Sequence, residues 1–291
     1  MSGGGDVLAT IVAATTRAVE VRATPDARRA LDRAAAAWQP RGAALLAALV
    51  APGAAPGGVR IIAECKRRSP SRGILRADYD PAAIARQYAA AGATAISVLT
   101  EPTFFDGALD HLRAVRAAVP TPIMRKDFFV DEFQILEAHA AGADAILLIV
   151  AALDDATLIR LHAAAESRGL AALVEVHTAE ELTRAQQAGA RLIGVNSRNL
   201  KTLAVSLETA LALGPMLGPG VVGVAESGIR TRADIDALTA AGYHAFLVGE
   251  RFMSQPDPGV ALGELVGAAA LGESTASHRD GRGARRSRRE E

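Results

Sequence analysis

The sequence predicts an α/β protein, a single (βα)8 TIM barrel in which eight parallel strands alternate with helices. Eight short apolar runs rich in Val and Ile recur along the chain, and their starts lie roughly 20 to 35 residues apart, enough for a helix and two loops. Runs that are apolar on both faces are typical of parallel strands, and eight such units close most economically as a barrel. A doubly wound open sheet is the alternative, but no Gly-x-Gly-x-x-Gly turn follows an early run.

The units can be placed along the chain in order. The segments between the runs have helical apolar spacing, as in residues 81–93 and 131–143, and several end in Ala-Gly, where a helix C-cap glycine is expected. The predicted strands are VRIIAECK (59–66), TAISVL (94–99), TPIMRKD (121–127), DAILLIV (144–150), LAALVEV (170–176), RLIGVN (191–196), VVGVAE (221–226) and AFLVG (245–249).

The two ends of the chain differ from this repeating region. Residues 1–50 are rich in Ala and Arg with apolar positions at helical spacing, and they predict a helical extension packed on the barrel. Residues 51–270 form the predicted catalytic barrel domain. Residues 271–291 are charged and lack apolar periodicity, so we expect a disordered tail. Its arginines could instead bind RNA, but a solvated tail is the interpretation we favour.

Composition limits the partners and the compartment. The 291 residues include 32 Lys and Arg against 32 Asp and Glu, so the formal net charge of zero favours neither nucleic acid nor a membrane surface. The single cysteine, Cys65, excludes an internal disulfide and permits a reducing compartment. The sequence begins without a basic and apolar leader, and its longest uncharged run is broken by Gly and Pro. We therefore expect a cytoplasmic monomer without membrane or nucleic-acid partners.

Charged and polar residues collect at the C-terminal ends of the predicted strands, where barrels of this type place their active sites. Glu64 and Lys66 stand two positions apart and so share one face of the first strand. An ionisable group at the rim of an apolar barrel is costly unless it is paired or used. The other strand ends carry Lys126 and Asp127, Glu175, Asn196, Glu226 and Ser227, and Gly249 and Glu250.

Each of these features alone has a structural interpretation. The charges of the first strand could form a structural ion pair, and Lys126-Asp127 alone is typical of a solvated turn. Cys65 is expected to point outward into the helix layer. His177 has no second His or Cys at ligand spacing, so we expect no metal site. The convergence of all these residues on one end of one barrel favours an active site.

Two strand ends also suggest the ligand. Ser227-Gly228 and Gly249-Glu250 follow the last two strands, where such barrels commonly bind phosphate through backbone N–H groups. Ser69, in the loop after the first strand, can add a hydroxyl donor. The charge of Glu250 would repel phosphate unless its side chain turns away and only its backbone N–H donates.

The segments AECKRRSPSRG, ISVLTEPTFFDG, MRKDFFVDEFQI, ADAILLIVAAL, LVEVH, IGVNSRNL, VAESGI and LVGERFM are distinctive as a set. In their order and spacing, over about residues 6–265, they resemble indole-3-glycerol phosphate synthase. Arg251-Phe252 departs from the small residue and Leu usual in that family, and the Arg-rich tail has no counterpart there. The resemblance implies conversion of 1-(2-carboxyphenylamino)-1-deoxyribulose 5-phosphate to indole-3-glycerol phosphate, CO2 and water, without a metal or cofactor.

The resemblance also implies roles for the rim residues, although it leaves open which lysine acts at which step. Lys126 is expected to be the general acid of ring closure, and Glu175 to act in acid–base chemistry during dehydration. Lys66 would meet the substrate carboxylate and assist a later proton transfer, while Glu64 would orient the lysines and stabilise positive charge on the ring nitrogen. Further expected contacts are the polar residues Asn196, Arg198, Glu226 and Ser227, and Ser69, Phe128, Gly228, Gly249 and Glu250 around the substrate and its phosphate.

The same residues bear on two other functions. A different phosphosugar enzyme, such as an isomerase, would need a Cys/Asp-type pair of bases at strand ends, and Cys65 is expected to face the wrong way. A degenerate barrel kept for binding or regulation would be favoured by loss of Lys126 or Glu175, and both are present.

Overall fold

A closed barrel forms the centre of the part of the chain that the structure describes. The structure is a computed structural model that describes residues 7–51, 56–200 and 202–267, so the predicted tail of residues 271–291 lies outside the described residues. Within those ranges, eight parallel strands pair in a ring that closes between the first and the last. They are β1 (Ile61–Cys65), β2 (Ala95–Leu99), β3 (Ile123–Lys126), β4 (Ala145–Ile149), β5 (Ala171–Val176), β6 (Leu192–Asn196), β7 (Val222–Glu226) and β8 (Ala245–Val248).

The predicted (βα)8 barrel is confirmed, and each strand falls within the run predicted for it. Side chains alternate along the strands, so that Ile62 faces the barrel interior while Ile61 and Cys65 pack outward against the helices. Cys65 is fully buried in that outer layer, as its sequence position predicts. None of the described helices is long and apolar enough to cross a membrane.

The segment before the barrel contributes α1 (Val7–Arg22), α2 (Pro25–Ala35) and α3 (Gly42–Val50). α1 lies at the C-terminal mouth of the barrel, and α2 packs along the helix at Glu132–Ala140. α3 closes the opposite end, because Leu45 and Leu49 are buried among the interior side chains at the strand starts. A helical extension is predicted from the sequence, but its contact with both ends of the barrel is not.

The remaining helices lie around the outside of the barrel. Most begin at an Asp, Ser or Thr whose side chain accepts a backbone hydrogen bond from the first turn; at Asp131, Gln134 completes a capping box. Several end at a glycine with positive φ, such as Gly142 at 90°. They are α4 (Pro81–Ala90), α5 (Leu109–Ala118), α6 (Glu132–Ala140), α7 (Asp155–Ser167), α8 (Ala179–Gln187), α9 (Leu207–Leu213), α10 (Arg232–Ala240), α11 (Glu250–Met253) and α12 (Pro258–Val266).

Candidate active site

A cavity of about 940 Å³ opens at the C-terminal ends of the strands. Glu226 is almost fully buried behind its wall and contacts Lys126. The structure therefore brings the residues predicted from the strand ends into one place. Those in the cavity wall are Glu64, Lys66, Ser69, Lys126, Phe128, Glu175, Asn196, Arg198, Ser227, Gly228, Gly249 and Glu250.

Glu64 joins the two lysines of this site. One of its carboxylate oxygens lies 2.5 Å from Lys66 Nζ, and the other lies 3.4 Å from Lys126 Nζ. Burial raises the pKa of Glu64, but the charges and hydrogen bonds of the two lysines outweigh burial and lower the pKa to about 2. Glu64 is therefore a carboxylate at neutral pH and a fixed counter-charge for both lysines.

Lys126 lies among carboxyl groups. Its Nζ is 3.2 Å from Glu226, 3.4 Å from Glu64 and 3.9 Å from Glu175. Burial lowers the pKa of Lys126, but the negative charges of these three residues outweigh burial and raise the pKa well above its ordinary value. The amine thus carries its proton at neutral pH, the state that a general acid requires.

Glu226 has one paired and one unpaired carboxyl oxygen. Oε2 accepts a hydrogen bond from Lys126, whereas Oε1 is buried without a hydrogen-bond partner among the described residues. Gly194 on β6 leaves the space for this oxygen, because a Cβ at position 194 would overlap it. Burial, together with the charge of Glu175, raises the pKa of Glu226 to about 8 against the opposing effect of Lys126. Burial therefore favours the neutral acid at Glu226, while the Lys126 ammonium favours the carboxylate.

Charge balance gives this protonation a physical reason. The two predicted lysines face three glutamates in a space that is little exposed to water. A buried excess charge is costly, so one proton held on a carboxyl group leaves two positive and two negative charges. The site thus presents acids and bases side by side, with acid strengths that their surroundings have moved apart.

Arg198 crosses the mouth of the cavity. Its backbone N–H donates to Asn196 Oδ1 at 3.0 Å, and its guanidinium donates to the Leu203 carbonyl at 3.1 Å and to Glu250 at 3.1 Å. Arg72, which the sequence analysis did not single out, donates to the other oxygen of Glu250 at 3.0 Å. The Glu250 carboxylate is therefore held by two arginines, which offsets the negative charge that makes it an awkward neighbour for phosphate.

The turn after β7 has an unusual backbone. Ser227 and Gly228 both have positive φ, 65° and 82°, and for a serine this conformation is strained. A Cβ at position 228 would meet Val205 at 2.8 Å, so the glycine is needed for packing as well as for conformation. Ser69 lies nearby on the cavity wall, in the short hairpin that follows β1.

Gly249 fits closely against Glu64. A Cβ at position 249 would overlap Glu64 Oε1 and would lie 2.9 Å from Glu64 Cβ. The glycine therefore preserves the position of a carboxylate on the neighbouring strand. From the sequence alone, the only reason for a glycine at this position is that it lets a phosphate group come close to the backbone.

Asp127, the residue after Lys126, does not lie in a solvated turn. The structural interpretation of Lys126-Asp127 as a solvated turn is therefore wrong for Asp127. Asp127 is 6% exposed and accepts hydrogen bonds from Thr100 Oγ1 at 2.6 Å and from Arg125 at 2.9 Å. Arg125 also donates to Glu137 at 3.2 Å, and Glu137 accepts a 2.7 Å bond from Arg22 at the end of α1. This buried network fixes the strand end that carries Lys126 and ties the N-terminal extension to it.

An apolar wall completes the cavity. Ile11 of α1 lines it together with Phe105, whose ring lies 6.2 Å from that of Phe128. Glu101 positions the loop that carries Phe105: its buried carboxylate accepts backbone hydrogen bonds from residues 103, 104 and 105. Glu101 was not singled out from the sequence, where a lone acid after a strand carries no distinctive spacing.

Comparison with solved structures concerns the fold. The chain is similar to 3-hexulose-6-phosphate synthase with a TM-score of 0.58 at 22% identity, covering 73% of this chain and 100% of that one. A mandelate oxidase mutant with benzaldehyde gives a TM-score of 0.57 at 20% identity, covering 82% and 91%. At these identities the similarity extends to the barrel alone.

Sequence comparison defines the family. The family model for indole-3-glycerol phosphate synthase matches residues 8–265. Relatives with that name from Nocardioides sp., Albidiferax ferrireducens and Kineococcus radiotolerans are 55%, 54% and 53% identical. The matches cover 72%, 74% and 73% of this chain and 81%, 81% and 78% of the relatives. The resemblance of the strand-end segments is thereby confirmed, and the chain belongs to the indole-3-glycerol phosphate synthase family.

Proposed function

We propose that the protein converts 1-(2-carboxyphenylamino)-1-deoxyribulose 5-phosphate to indole-3-glycerol phosphate, CO2 and water, as a carboxy-lyase of tryptophan biosynthesis. The observation that carries the proposal is the ammonium group of Lys126, held 3.2 to 3.9 Å from three carboxyl groups at the base of the cavity. The chemistry can proceed by proton transfers alone, so no metal or organic cofactor is needed.

Ring closure joins the aromatic carbon that bears the carboxylate to the C2 carbonyl carbon of the sugar chain. Negative charge develops on the carbonyl oxygen as the bond forms, and Lys126 donates its proton to that oxygen. An alkoxide is basic enough to accept a proton even from an amine whose pKa is raised, whereas a ketone is not. The proton therefore moves only as the new bond forms.

Positive charge develops on the ring nitrogen in the same step. Glu64, held as a carboxylate by both lysines, is the group proposed to stabilise it. Decarboxylation then breaks the bond to the carboxyl carbon, and the released electron pair neutralises the nitrogen. Lys66, whose side chain is 14% exposed at the cavity wall, would hold the substrate carboxylate until it leaves.

Dehydration completes the indole. Glu175 protonates the departing hydroxyl group, the C–O bond breaks and water leaves. Lys126, left as a neutral amine by ring closure, accepts a proton from the neighbouring carbon with the assistance of Lys66, and the electron pair of that C–H bond forms the ring double bond. The proposed acid and the proposed assisting amine stand on different strands, so they can serve different atoms of the same intermediate.

The two ends of the substrate have different surroundings in this proposal. The phosphate would contact Ser69, Gly228 and the backbone N–H groups of Gly249 and Glu250, with Arg198 and Asn196 beside it. The aromatic ring would lie against Phe128 and the apolar wall that includes Ile11. Ser227 and Glu226 would complete the contacts near the reacting atoms. These assignments are supported by the positions of the side chains around the cavity.

The test is a turnover assay on the full chain. The carboxyphenylamino substrate is added, and formation of the indole ring is followed by absorbance and fluorescence. Inorganic phosphate should compete weakly with the substrate. A Lys126→Ala preparation, purified in parallel, reports any contaminating enzyme. Absence of product from a folded wild-type preparation would refute the proposed activity.

The proposal extends to the setting of the enzyme. Residues 51–270 would carry the catalytic groups, residues 1–50 would cover the barrel ends, and the protein would act as a cytoplasmic monomer. The zero net charge supports the absence of nucleic-acid partners. Size-exclusion chromatography and a nucleic-acid shift assay, with and without residues 271–291, test these points; an oligomer or a shift would contradict them.

A further inference from the structure

His177 lies behind Glu175, on the side away from the cavity. It follows β5 directly, its side chain is 11% exposed, and it is not part of the cavity wall. From the sequence, the only role to consider for His177 is that of a metal ligand, and its spacing from other ligands does not support one. It is therefore a nearly buried titratable group to which the proposed reaction gives no role.

Both ring nitrogens of His177 face carboxyl groups. Nδ1 lies 3.2 Å from Glu181 Oε2, and Nε2 lies 3.4 Å from Glu175 Oε1. The same Glu181 oxygen accepts the His177 backbone N–H at 2.7 Å. Glu181 lies in the first turn of α8, where its backbone N–H donates a hydrogen bond to Thr178 Oγ1 at 3.2 Å. The orientation of the ring is thus fixed by groups outside the active site.

Glu175 stands between this imidazole and the reaction chamber. Its Oε2 lies 3.9 Å from Lys126 Nζ, and its Oε1 faces His177 Nε2. Nε2 is buried and has no hydrogen-bond partner in the described part of the chain. At 3.4 Å, a small movement of Glu175 toward the ring would make the bond, and a movement toward the substrate would break it.

His177 Nε2 and the facing oxygen of Glu175 must share a proton. With Nδ1–H donating to Glu181, a neutral ring turns the lone pair of Nε2 toward an oxygen of Glu175. That arrangement is repulsive unless a proton lies between the two atoms. Either the ring is an imidazolium facing a carboxylate, or it is neutral and faces a protonated carboxyl group.

The surroundings favour the charged ring. Burial lowers the pKa of His177, but the hydrogen bond to Glu181 and the charges of Glu175, Glu181 and Glu226 outweigh burial and raise the pKa above its ordinary value. These three carboxyl groups come from β5, α8 and β7, and the Lys126 ammonium lies on the other side of Glu175, 3.9 Å from its Oε2.

We propose that His177 is a positioning residue that holds the Glu175 carboxyl group through Nε2 and exchanges a proton with it during dehydration. This rests on the function proposed for Glu175 above. Glu181 fixes the ring orientation, and its side chain, 17% exposed, connects the set to solvent.

The proton transfers balance without another reactant. The proton shared by Nε2 and Glu175 moves onto the carboxyl oxygen, Glu175 gives it to the departing hydroxyl, the C–O bond breaks, and water leaves. This leaves a Glu175 carboxylate and a neutral ring with Nδ1–H still bonded to Glu181. The proton lost from carbon goes to the amine that Lys126 became in ring closure, and after product release a proton from solvent reaches Glu175 through the cavity and restores the imidazolium.

Three variants separate this role from simple capping of α8. In His177→Asn the amide can still reach Glu181 but falls short of Glu175, whereas in His177→Gln it can reach Glu175 but cannot titrate. We expect His177→Asn to lower kcat about tenfold with KM nearly unchanged. His177→Gln should recover part of kcat, and the part of the kcat–pH profile that belongs to the imidazole should be missing. His162→Asn is the control, since His162 faces Glu166 at 3.7 Å on α7, outside the cavity wall.

The role is contradicted if His177→Asn keeps the wild-type kcat and pH profile. It is also contradicted if kcat falls only in proportion to lost folded protein, measured by circular dichroism. NMR titration of His177 gives a readout independent of turnover. Its pKa should fall in Glu175→Gln, because the charge of Glu175 helps to raise it, and an unchanged pKa would overturn the pairing even if the enzyme is fully active. A wild-type protein without turnover, but with the expected titration shift, would refute the proposed function and leave the pair in place.

Discussion

Lys126 and Glu226 form a buried pair 3.2 Å apart at the base of the cavity, on strands β3 and β7. Each member changes the other's proton affinity: the carboxylate of Glu226 raises the pKa of Lys126, and the Lys126 ammonium lowers the pKa of Glu226 against the burial that raises it to about 8. Stability and catalysis at this pair therefore depend on pH in directions that can be stated in advance.

The first prediction concerns stability and pH. The pKa of Glu226 is about 8 in the folded protein against an ordinary value of 4.5, so between these values the native state binds a proton that the unfolded chain lacks. The free energy of unfolding should therefore fall as the pH rises through this window, by up to about 1.4 kcal/mol per pH unit. Glu226→Gln should remove this slope in thermal unfolding between pH 5 and 9. Glu264→Gln, on the exposed face of α12, is the control and should retain the slope.

The second prediction concerns the general acid. Lys126→Ala should fold but lose turnover by roughly 100- to 10,000-fold, the range expected when an acid–base group is removed. Because the variant leaves Glu64, Glu175 and Glu226 without their shared cation, it should be most stable at lower pH, where these groups accept protons. Single-turnover kinetics and circular dichroism at two pH values measure both effects. Arg113→Ala, at an exposed site on α5, is the control. Near-normal turnover of Lys126→Ala would show that another group is the acid.

The third prediction concerns two glycines that face carboxylates. Gly249→Val should lower kcat as well as raise KM, because its side chain displaces Glu64 in addition to crowding the phosphate. A phosphate-binding role alone would raise KM with less effect on kcat. Gly194→Ala should lower kcat with little change in KM, since it displaces Glu226 and lies outside the cavity wall. Gly263→Ala, with open space around its Cβ, is the matched control. Unchanged kcat in both active-site variants would contradict the proposed roles of these carboxylates.

The fourth prediction concerns the attachment of α1. Arg22→Ala removes the cation at the outer end of the Glu137–Arg125–Asp127 network, and it should cost about 1 to 3 kcal/mol of stability. KM should rise as well, because the start of the same helix forms part of the cavity wall. Arg17→Ala on α1 removes only an exposed pair with Glu20 and should change neither quantity. Equal behaviour of the two variants would show that the network does not anchor the helix.

The fifth prediction concerns metal removal. Dialysis against a chelator should leave kcat and KM unchanged, because the proposed steps use protons carried by lysine and glutamate side chains. The described residues include no cluster of three His, Cys, Asp or Glu side chains suited to hold a metal ion. Loss of turnover that a particular divalent ion restores would contradict this mechanism.

The barrel and the rim residues could be predicted because both depend on short-range pattern. Alternation along a strand places Glu64 and Lys66 on one face, and apolar runs separated by helices indicate a parallel sheet. Arg125 and Asp127 occupy the alternate positions on either side of Lys126, so their side chains point outward into the helix layer. Their burial depends on Glu137 and Thr100, which come from other elements, and no local pattern identifies such partners.

The same limit applies to side chains that act on the site from outside. In the sequence, His177 is notable only because no second metal ligand lies at a suitable spacing from it. Its partner Glu181 lies in the first turn of a helix, where a glutamate is common and gives no sign of a special role. Arg72 and Glu101 stand in loops whose course the sequence does not determine. Gly194 and Gly249 are needed because of carboxylates on neighbouring strands, and this is visible only once the strands are paired.

The position of α3 affects how the chain can fold while it is being synthesised on the ribosome. Leu45 and Leu49 leave the exit tunnel before any barrel strand, yet their burial site includes Ala171, Leu192 and Ala245, which are synthesised much later. The apolar face of α3 therefore has no complete native surface to cover until nearly the whole chain has emerged. α3 is synthesised before the barrel strands but is among the last elements to reach its final contacts, and through this interval its leucines remain exposed to solvent or to non-native contacts.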